Sequence, residues 1–289
     1  NSVAVLLAAY NGKEWLSEQL SSILNQSDVM LDIFISVDLS DDDTYDWCKA
    51  KEKENSNIIV LEYGERFGGA AKNFFRLIRD VDFSDYDYVS LADQDDIWLD
   101  NKLSHAIAIM QKKDLDAFSS DVIAFWSNDR EKLVKKSYPQ QPFDHYFEAA
   151  GPGCTYVFSQ QSMQSFKTFL AAHWIEVSQV TLHDWMIYSY YRANKLKWHI
   201  DDVPLMRYRQ HESNQVGFNS GYKAALTRLG MVRDKWYSEQ VSKIHTLVSA
   251  GSQPKLTLTR FYLIRHFWQL RRRPRDAFAL LIMLITGLY

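Results

Sequence analysis

The chain is poor in cysteine and contains no long uncharged apolar run. Only Cys48 and Cys154 occur among its 289 residues, which excludes a disulfide framework or a cysteine-rich zinc site and favours a reducing compartment. No uncharged apolar run reaches the ~20 residues that span a bilayer. The first residues enter a strand pattern without a basic segment before them, so we expect no secretory signal at this end.

The chain also lacks an excess of positive charge and a disordered composition. Its formal net charge of −3 excludes a polycation built to bind nucleic acid. Hydrophobic residues make up 46% and charged residues 24%, as in ordinary globular proteins, which excludes intrinsic disorder. The length fits one large domain with an appendage.

The first 126 residues alternate between strand-like apolar runs and segments of helical periodicity. The predicted strands are Val3–Ala9, Leu31–Asp38, Asn57–Tyr63, Tyr86–Ala92 and Ala117–Trp126, with helices between them at Glu14–Gln26, Asp42–Glu54, Gly69–Val81 and Asn101–Lys112. Buried strands separated by helices indicate an α/β fold with a mostly parallel central sheet. Ligands of such sheets bind beyond the carboxyl ends of the strands.

An irregular stretch at residues 127–150 precedes the remaining elements. We expect a strand at Cys154–Ser159, helices at Gln161–His173 and His183–Asn194, and a strand at Lys197–Arg207. From residue 221 onward the periodicity is helical. The sequence therefore predicts an α/β domain over residues 1–220 and a helical C-terminal region over residues 221–289.

Three carboxylates follow the fourth predicted strand, in the segment Asp93-Gln94-Asp95-Asp96. Such carboxylates repel one another unless a cation compensates them. Mg²⁺ and Mn²⁺ prefer carboxylate oxygens and often share their site with substrate phosphates. We therefore favour a metal site that binds a diphosphate over the alternative, an acidic helix start.

Other polar residues at strand and helix ends are weaker candidates when taken singly. Asp38 can accept a hydrogen bond from a nucleobase or a ribose, and the helix that starts at Gly69 can receive a phosphate. Asp184 can act as a general base and His211 as a metal ligand. The alternatives are an ordinary turn at Gly69, a helix-capping aspartate at Asp184 and a surface histidine at His211.

Taken in order, these segments resemble the family-2 glycosyltransferases, which are inverting nucleotide-sugar enzymes of the GT-A fold, and in particular the rhamnosyltransferase-like members. The matching motifs are Ala8-Ala9-Tyr10-Asn11-Gly12, Asp38-Leu39-Ser40, residues 66–73, Asp93-Gln94-Asp95-Asp96-Ile97-Trp98, Gly153-Cys154-Thr155, His183-Asp184-Trp185 and residues 208–214. Each motif is weak by itself. Seven of them in the right order, spread over residues 2–217, make the resemblance specific.

The resemblance implies a role for each matching residue. Asp184 would be the catalytic base, while Asp93, Asp95 and His211 would hold a divalent metal, Mg²⁺ or Mn²⁺. The nucleotide-sugar donor would contact Ala9, Tyr10, Asn11, Asp38, Gly69, Lys72, Asn73, Asp93, Gln94, Trp98, Trp185 and Arg209. For Trp98 and Trp185, core packing is an equal alternative to stacking on a sugar. Two positions depart from the family pattern, because Leu39 replaces a small residue and His183 replaces an acidic one.

The C-terminal segment concentrates positive and apolar residues. Residues 255–275 contain seven lysines or arginines and no acid, so the rest of the chain carries a formal charge of −10, and residues 277–289 are uncharged. Basic, aromatic and apolar residues together are typical of a helix that lies on a membrane surface. The alternative is helices packed on the catalytic domain or on a second subunit, as in a homodimer.

The resemblance implies an inverting, metal-dependent glycosyltransferase of bacterial surface polysaccharide synthesis, including O-antigen. It would move rhamnose from a dTDP donor onto a glycan or lipid-linked acceptor, in the cytoplasm and peripherally on the cytoplasmic face of the inner membrane. A transferase that uses UDP-hexose or UDP-N-acetylhexosamine and a non-catalytic binding protein on the same fold remain alternatives. A nucleotidyltransferase is disfavoured, because the segment from Ala9 to Gly12 is not a basic glycine-rich loop.

Overall fold

A computed structural model describes residues 1–211, 235–251 and 254–289. The strands are β1 (Ser2–Ala9), β2 (Met30–Val37), β3 (Ile58–Val60), β4 (Tyr88–Asp93), β5 (Ile97–Trp98), β6 (Ala117–Ser120), β7 (Val122–Phe125), β8 (Glu131–Val134), β9 (Val157–Ser159), β10 (Trp198–Asp201) and β11 (Met206–Arg209). The helices are α1 (Lys13–Leu24), α2 (Thr44–Glu54), α3 (Ala70–Asp80), α4 (Lys102–Lys113), α5 (Gln160–Ala172), α6 (Trp174–Val177), α7 (His183–Ala193), α8 (Trp236–Val248), α9 (Arg260–Arg265) and α10 (Pro274–Thr286).

Seven strands form the main sheet in the order β10-β6-β9-β4-β1-β2-β3. The pairs β1–β2, β1–β4, β2–β3 and β6–β10 are parallel, whereas β9 runs antiparallel between β4 and β6. The predicted α/β fold with a mostly parallel sheet is therefore confirmed.

The pattern of β1 explains why both faces of this sheet are covered. Ala4, Leu6 and Ala8 contribute to the core cluster that includes α3 and α7. Val3 and Val5 contribute to the opposite cluster, which includes α1 and α4. Alternate side chains of a strand point to opposite faces, so a continuous apolar run fills both layers. Burial of each large aliphatic side chain stabilises the fold by about 1.5–3 kcal/mol.

Two predicted strands are wrong as single elements. Ala117–Trp126 divides into β6 and β7, which belong to different sheets. Between them lies the buried Asp121, whose Oδ1 accepts hydrogen bonds from the backbone amides of Lys136 (2.6 Å) and Ser137 (2.9 Å). A buried carboxylate needs such partners, and it turns the chain where apolar periodicity alone predicts continuity. The predicted strand Lys197–Arg207 similarly divides into β10 and β11, with Pro204 between them.

The divided strands build a second sheet in the order β5-β11-β7-β8. Its strand β8 lies within the stretch that the sequence indicates as irregular, and it pairs antiparallel with β7. Because β11 pairs with β5, which directly follows the acidic segment, the end of β11 and the next described residues up to His211 lie near the carboxyl end of β4.

The described part of the C-terminal region is helical, as predicted. It contains α8, α9 and α10, and α8 packs against α6 and α7. Residues 221–234 of the predicted helical region, its boundary at residue 220 and the motif positions 212–214 lie outside the described residues. In the described ranges, every helix is too short or too polar to cross a bilayer.

Candidate active site

The carboxyl ends of β1, β2 and β4 meet at one edge of the main sheet. Ala8 pairs in register with Asp93, and Ala9 pairs with Val37. Ala9 itself is 1% exposed, and its carbonyl accepts a hydrogen bond from the amide of Asp38 at 2.8 Å. The topology therefore brings three of the predicted motifs to one place, as expected for a parallel sheet.

A reciprocal pair of hydrogen bonds joins the end of β1 to the segment after β4. The Tyr10 amide donates to Oε1 of Gln94 at 2.7 Å, and Nε2 of Gln94 donates to the Tyr10 carbonyl at 2.9 Å. A Cβ at Gly12 would lie 2.1 Å from the same Oε1, which explains the glycine there. The Tyr10 side chain is 44% exposed and free to stack on a flat ring. Asn11 accepts a hydrogen bond from the Asp41 amide at 2.8 Å and thereby fixes the neighbouring turn.

Asp38 organises the loop that leads to α3. Its Oδ1 accepts hydrogen bonds from the amides of Leu39 and Phe67, each at 2.8 Å, and its Oδ2 accepts one from Gly68 at 2.9 Å. Gly68 has a φ of +75°, which glycine adopts without strain. The carboxylate is 3% exposed. Asp38 therefore fixes the backbone of the loop that lies beside the carboxyl ends of β1 and β2.

Three predicted donor contacts lie at the start of α3, and they differ in exposure. Lys72 is exposed, and Gly69 is partly exposed. Asn73 is buried, and its Nδ2 donates to the carbonyls of Ser36 at 3.0 Å and Ala9 at 3.3 Å. The Ser36 hydroxyl donates to Oδ1 of Asn73. We interpret Asn73 as a link between the ends of β1 and β2 rather than a direct contact with a ligand.

The second sheet places His211 beside the acidic segment. Nε2 of His211 lies 2.6 Å from Oδ2 of Asp95, and its ring stacks on Trp15 with centroids 4.2 Å apart. Arg209 donates from its amide to Oδ1 of Asp96 at 3.1 Å and from Nε to the Asp95 carbonyl at 2.7 Å. These bonds fix the register between the acidic segment and β11.

Asp93 belongs to two groups of polar side chains. Burial first, and then the negative charges of Asp95 and Asp184, raise the pKa of Asp93 to about 7, while a hydrogen bond with Cys154 lowers it. Asp93, Asp96 and Cys154 each present a ligand atom within 4.8 Å of the other two. Asp96 is fully buried, and its Oδ2 has no hydrogen-bond partner among the described residues.

The donor atoms fit a hard divalent cation. Carboxylate oxygens and one imidazole suit Mg²⁺ or Mn²⁺, and uncompensated carboxylates with raised pKa values are what such an ion relieves. The side chains of Asp95 and His211 are 12% and 18% exposed, so both are accessible to solvent at this edge of the sheet. Cys154 lies in the interior, and burial raises the pKa of its thiol well above the usual range. A protonated thiol is a poor ligand for these ions.

Asp184 lies in the first turn of α7, close enough to Asp93 for the two charges to interact. Burial raises the pKa of Asp184 to about 6, against a hydrogen bond from the Trp185 amide (2.7 Å) and the positive charge of Lys136. A carboxyl group with a pKa near neutrality can take a proton from a hydroxyl at physiological pH. The tertiary structure thus brings the predicted base and the acidic segment together.

The two predicted sugar-stacking tryptophans are both core residues. Trp98 and Trp185 are each 3% exposed. Nε1 of Trp185 donates to the His145 carbonyl at 3.0 Å, and the ammonium of Lys102 lies 3.4 Å from the centroid of the Trp98 ring. Their burial favours core packing over contact with a sugar.

Sequence reasoning missed two lysines near these carboxylates. Lys102 is 1% exposed, and burial lowers its pKa to about 7 against the opposing effect of the nearby Cys154 and Asp96 side chains. Lys136 interacts with Asp184 from the segment after β8. Lys102 occupies the apolar face of α4, which is a signal in the sequence. Lys136 follows a strand that the sequence did not predict.

Comparison with known proteins places the chain in a family. The sequence-family model "Glycosyl transferase family 2" matches residues 4–171 of the chain. The chain is 44% identical over 289 residues to the dTDP-rhamnosyl transferase RfbG of Shigella flexneri, which covers 98% of this chain and 100% of that protein.

Solved structures show the same fold at low sequence identity. S. aureus TarS 1–349 in complex with UDP-GlcNAc superposes with a TM-score of 0.55 and 14% identity, covering 99% of this chain and 82% of that one. The mannosyltransferase PcManGT of Pyrobaculum calidifontis, in complex with GDP-Man and Mn²⁺, gives 0.53 and 16%, covering 99% and 80%. The predicted resemblance and the expectation of an enzyme are confirmed. This chain belongs to glycosyl transferase family 2.

Proposed function

We propose that this protein transfers rhamnose from a dTDP-linked donor to a hydroxyl group of a growing bacterial surface polysaccharide, with inversion at the anomeric carbon. The observation that carries the proposal is the 44% identity to a dTDP-rhamnosyl transferase over essentially the full length of both chains. A match that covers the C-terminal region as well as the sheet argues for a shared substrate class.

Asp184 is the proposed general base. Its carboxylate takes the proton from the acceptor hydroxyl while that oxygen attacks the anomeric carbon from the face opposite the leaving diphosphate. The bond from the new oxygen forms as the bond to the nucleoside diphosphate breaks, so no covalent enzyme intermediate is needed. Burial of Asp184 supports this role, because a pKa of about 6 makes it a stronger base than an exposed aspartate.

Asp93, Asp95 and His211 are the proposed holders of Mg²⁺ or Mn²⁺. When bound, the ion offsets the negative charge that develops on the departing diphosphate. Asp95 and His211 face each other at 2.6 Å, so a metal would replace the hydrogen bond between them. Cys154 and Asp96 lie within 4.8 Å of Asp93 and are proposed to keep it in position.

The donor pocket is proposed to extend from Tyr10 to the start of α3. Tyr10 would stack on the nucleobase, while Asn11 and the loop held by Asp38 form the walls. Lys72 is exposed at the first turn of α3, where a cation and free helix amides both attract phosphate. Gln94 fixes the position of Tyr10 through its backbone.

The proposed place of work is the cytoplasmic face of the inner membrane, where a lipid-linked acceptor would be available. Phe278, Ile282 and Ile285 of α10 are 48%, 61% and 57% exposed. Arginines precede them at residues 271–273 and 275. A basic segment beside exposed apolar residues favours binding to an anionic membrane surface.

A donor panel tests the proposed sugar and base. Thermal unfolding midpoints are measured with dTDP-rhamnose, UDP-glucose, UDP-N-acetylglucosamine and GDP-mannose, each with and without Mn²⁺. A donor that binds only the folded state raises its stability by mass action, so dTDP-rhamnose with Mn²⁺ should give the largest shift. A larger shift with a uridine donor would replace the proposed donor with the UDP-sugar alternative.

A further inference from the structure

A polar pocket lies between the end of β8 and the start of α10. Its volume is about 210 Å³, which is smaller than the ~300–1,000 Å³ of sites for drug-sized ligands. Six basic side chains line it, against the two acids Glu148 and Asp276: Lys132, Lys135, Lys136, Arg272, Arg273 and Arg275. Pocket size and charge together fit a small, multiply charged anion.

Arg272 is a built part of this pocket rather than a mobile surface group. It is 5% exposed, its Nη1 donates to Oδ2 of Asp144 at 3.0 Å, and its Nη2 donates to the Ala149 carbonyl at 2.6 Å. Asp144 also pairs with Arg192 at 3.0 Å, and Glu148 lies 3.7 Å from both Arg271 and Arg272, so three guanidinium groups share two carboxylates. Nε of Arg272 is buried and has no partner among the described residues. A net positive charge is therefore held in place at the pocket wall.

Lys136 connects the pocket to the proposed base. Within the described residues, its ammonium forms no hydrogen bond or ion pair. Burial lowers the pKa of this group. Its aliphatic stem passes Gly151, and the Tyr156 hydroxyl donates to the carbonyls of both Gly151 (3.0 Å) and Asp184 (3.5 Å). The charge of Lys136 interacts first with those of Glu148, Arg272 and Arg271, and more weakly with that of Asp184. An anion bound by Lys136 would lie beside the group that activates the acceptor.

Two features of α10 complement this chemistry. Pro274 opens the helix at the pocket, where the first amides of a helix favour an anion. Phe278 follows one turn later on the exposed side, with Trp268 packed against it at 4.7 Å between ring centroids. Ile282 and Ile285 continue the exposed apolar face. A molecule with an anionic head and a hydrocarbon tail matches both parts.

We propose that this basic pocket binds the diphosphate of a lipid-linked acceptor, with the lipid running along the exposed face of α10 and the acceptor sugar directed towards Asp184. The inference rests on the proposed function, which already assigns the donor diphosphate to the acidic segment and its metal. The pocket is then a second anion site, separate from the donor site and adjacent to the base.

Binding measurements without turnover test this proposal. Isothermal titration of the full chain, saturated with dTDP and Mn²⁺, should detect inorganic pyrophosphate and, more tightly, farnesyl diphosphate. Lys136→Met should weaken both ligands at least tenfold and leave dTDP affinity unchanged, while Lys136→Arg should restore most of the loss. Lys53→Met on α2, outside the pocket, is the charge-matched control and should change nothing. Thermal unfolding verifies that each variant is folded.

A second variant separates a lipid from a free phosphate as the natural ligand. Ile282→Asp should weaken farnesyl diphosphate while leaving pyrophosphate unaffected. An equal affinity of wild type and Ile282→Asp for farnesyl diphosphate would overturn the lipid part. Competition between pyrophosphate and dTDP, or loss of dTDP binding in Lys136→Met, would assign the pocket to the donor and overturn the proposal.

The outcome is independent of the proposed base and donor. The same titrations in Asp184→Asn should retain pyrophosphate binding, because that carboxyl group does not line the pocket. Failure of the donor panel with intact pyrophosphate binding would reject the proposed sugar alone. A normal donor panel with no pyrophosphate binding would reject the acceptor pocket alone.

Discussion

His211 and Asp95 are 116 positions apart in the chain, and their side chains meet with Nε2 2.6 Å from Oδ2. The pairing of β11 with β5 creates this contact, because it returns the chain to the segment that follows β4. A histidine and a carboxylate at this distance either share a proton or share a metal. The contact is therefore the sharpest place to test the proposed metal site.

Asp95→Ala should abolish the binding of Mn²⁺ in the presence of dTDP. The substitution removes a charged ligand, namely the carboxylate that lies 2.6 Å from Nε2 of His211. Titration of Mn²⁺ followed by electron paramagnetic resonance measures the free ion directly. Cys154→Ser is the control and should retain Mn²⁺ affinity, because the thiol is buried and protonated. Unchanged affinity in Asp95→Ala, or its loss in Cys154→Ser alone, would move the metal to the inner group of Asp93, Asp96 and Cys154.

Asp184→Asn should lower kcat by about 10²–10⁴-fold, the range expected when a general base is lost. Affinity for dTDP should remain unchanged, since the amide is isosteric and the metal ligands are intact. Initial rates at saturating donor, combined with titration of dTDP, separate the two effects. Asp202→Asn, at an exposed aspartate, is the control. Near-normal turnover in Asp184→Asn would refute the assignment of this base.

The pH dependence of kcat should report the same carboxyl group. Asp184 must be ionised to accept a proton, and burial raises its pKa to about 6. The rate should therefore increase with pH through about 6 and level off above it, at saturating Mn²⁺ and donor. The residual rate of Asp184→Asn should not show this increase with pH. A wild-type rate that is flat from pH 5 to 8 would contradict the prediction.

Asp184→Asn should also stabilise the folded chain at neutral pH. The pKa of Asp184 is raised from 3.8 to about 6 in the fold, so its contribution is favourable below pH 4 and is lost as pH increases through 6. The free energy of unfolding of the variant should exceed that of the wild type by up to about 3 kcal/mol at pH 7.5. Denaturant unfolding at pH 5 and pH 7.5 measures the gap, which should widen with pH. An equal difference in unfolding free energy at pH 5 and pH 7.5 would show that burial does not raise the pKa of Asp184.

Asp38→Ala should loosen the loop before α3 and weaken dTDP binding. Three partly buried backbone amides lose their acceptor, and the cost of each stays below the ~1–3 kcal/mol of a fully buried amide without a partner. Both the unfolding midpoint and dTDP affinity should decrease. Asp41→Ala, at an exposed position in the next turn, should affect neither. Weakened dTDP binding with no loss of stability would indicate a direct contact between Asp38 and the nucleotide instead.

Local patterns in the sequence were sufficient for strands β1 to β4 of the main sheet and for the helices between them. The apolar run of β1 and the helical period of α1 and α3 predict elements that the structure contains, because burial on both faces requires continuous apolar strands. The same reasoning failed at Asp121. In a local pattern, an aspartate cannot be recognised as buried. Here the amides of residues 136 and 137 donate to Asp121 and stabilise a turn between the two sheets.

The sequence alone identified the acidic segment, because the apolar pattern of a strand shows where that strand ends. The order of seven short motifs identified the family. Only the tertiary structure decided that Trp98 and Trp185 are packed in the core, that Asp38 and Asn73 hold backbone, and that Lys136 approaches Asp184. Burial and pairing are properties of contacts between distant segments. Such contacts cannot be recognised from local sequence patterns, because they depend on how all the elements pack together.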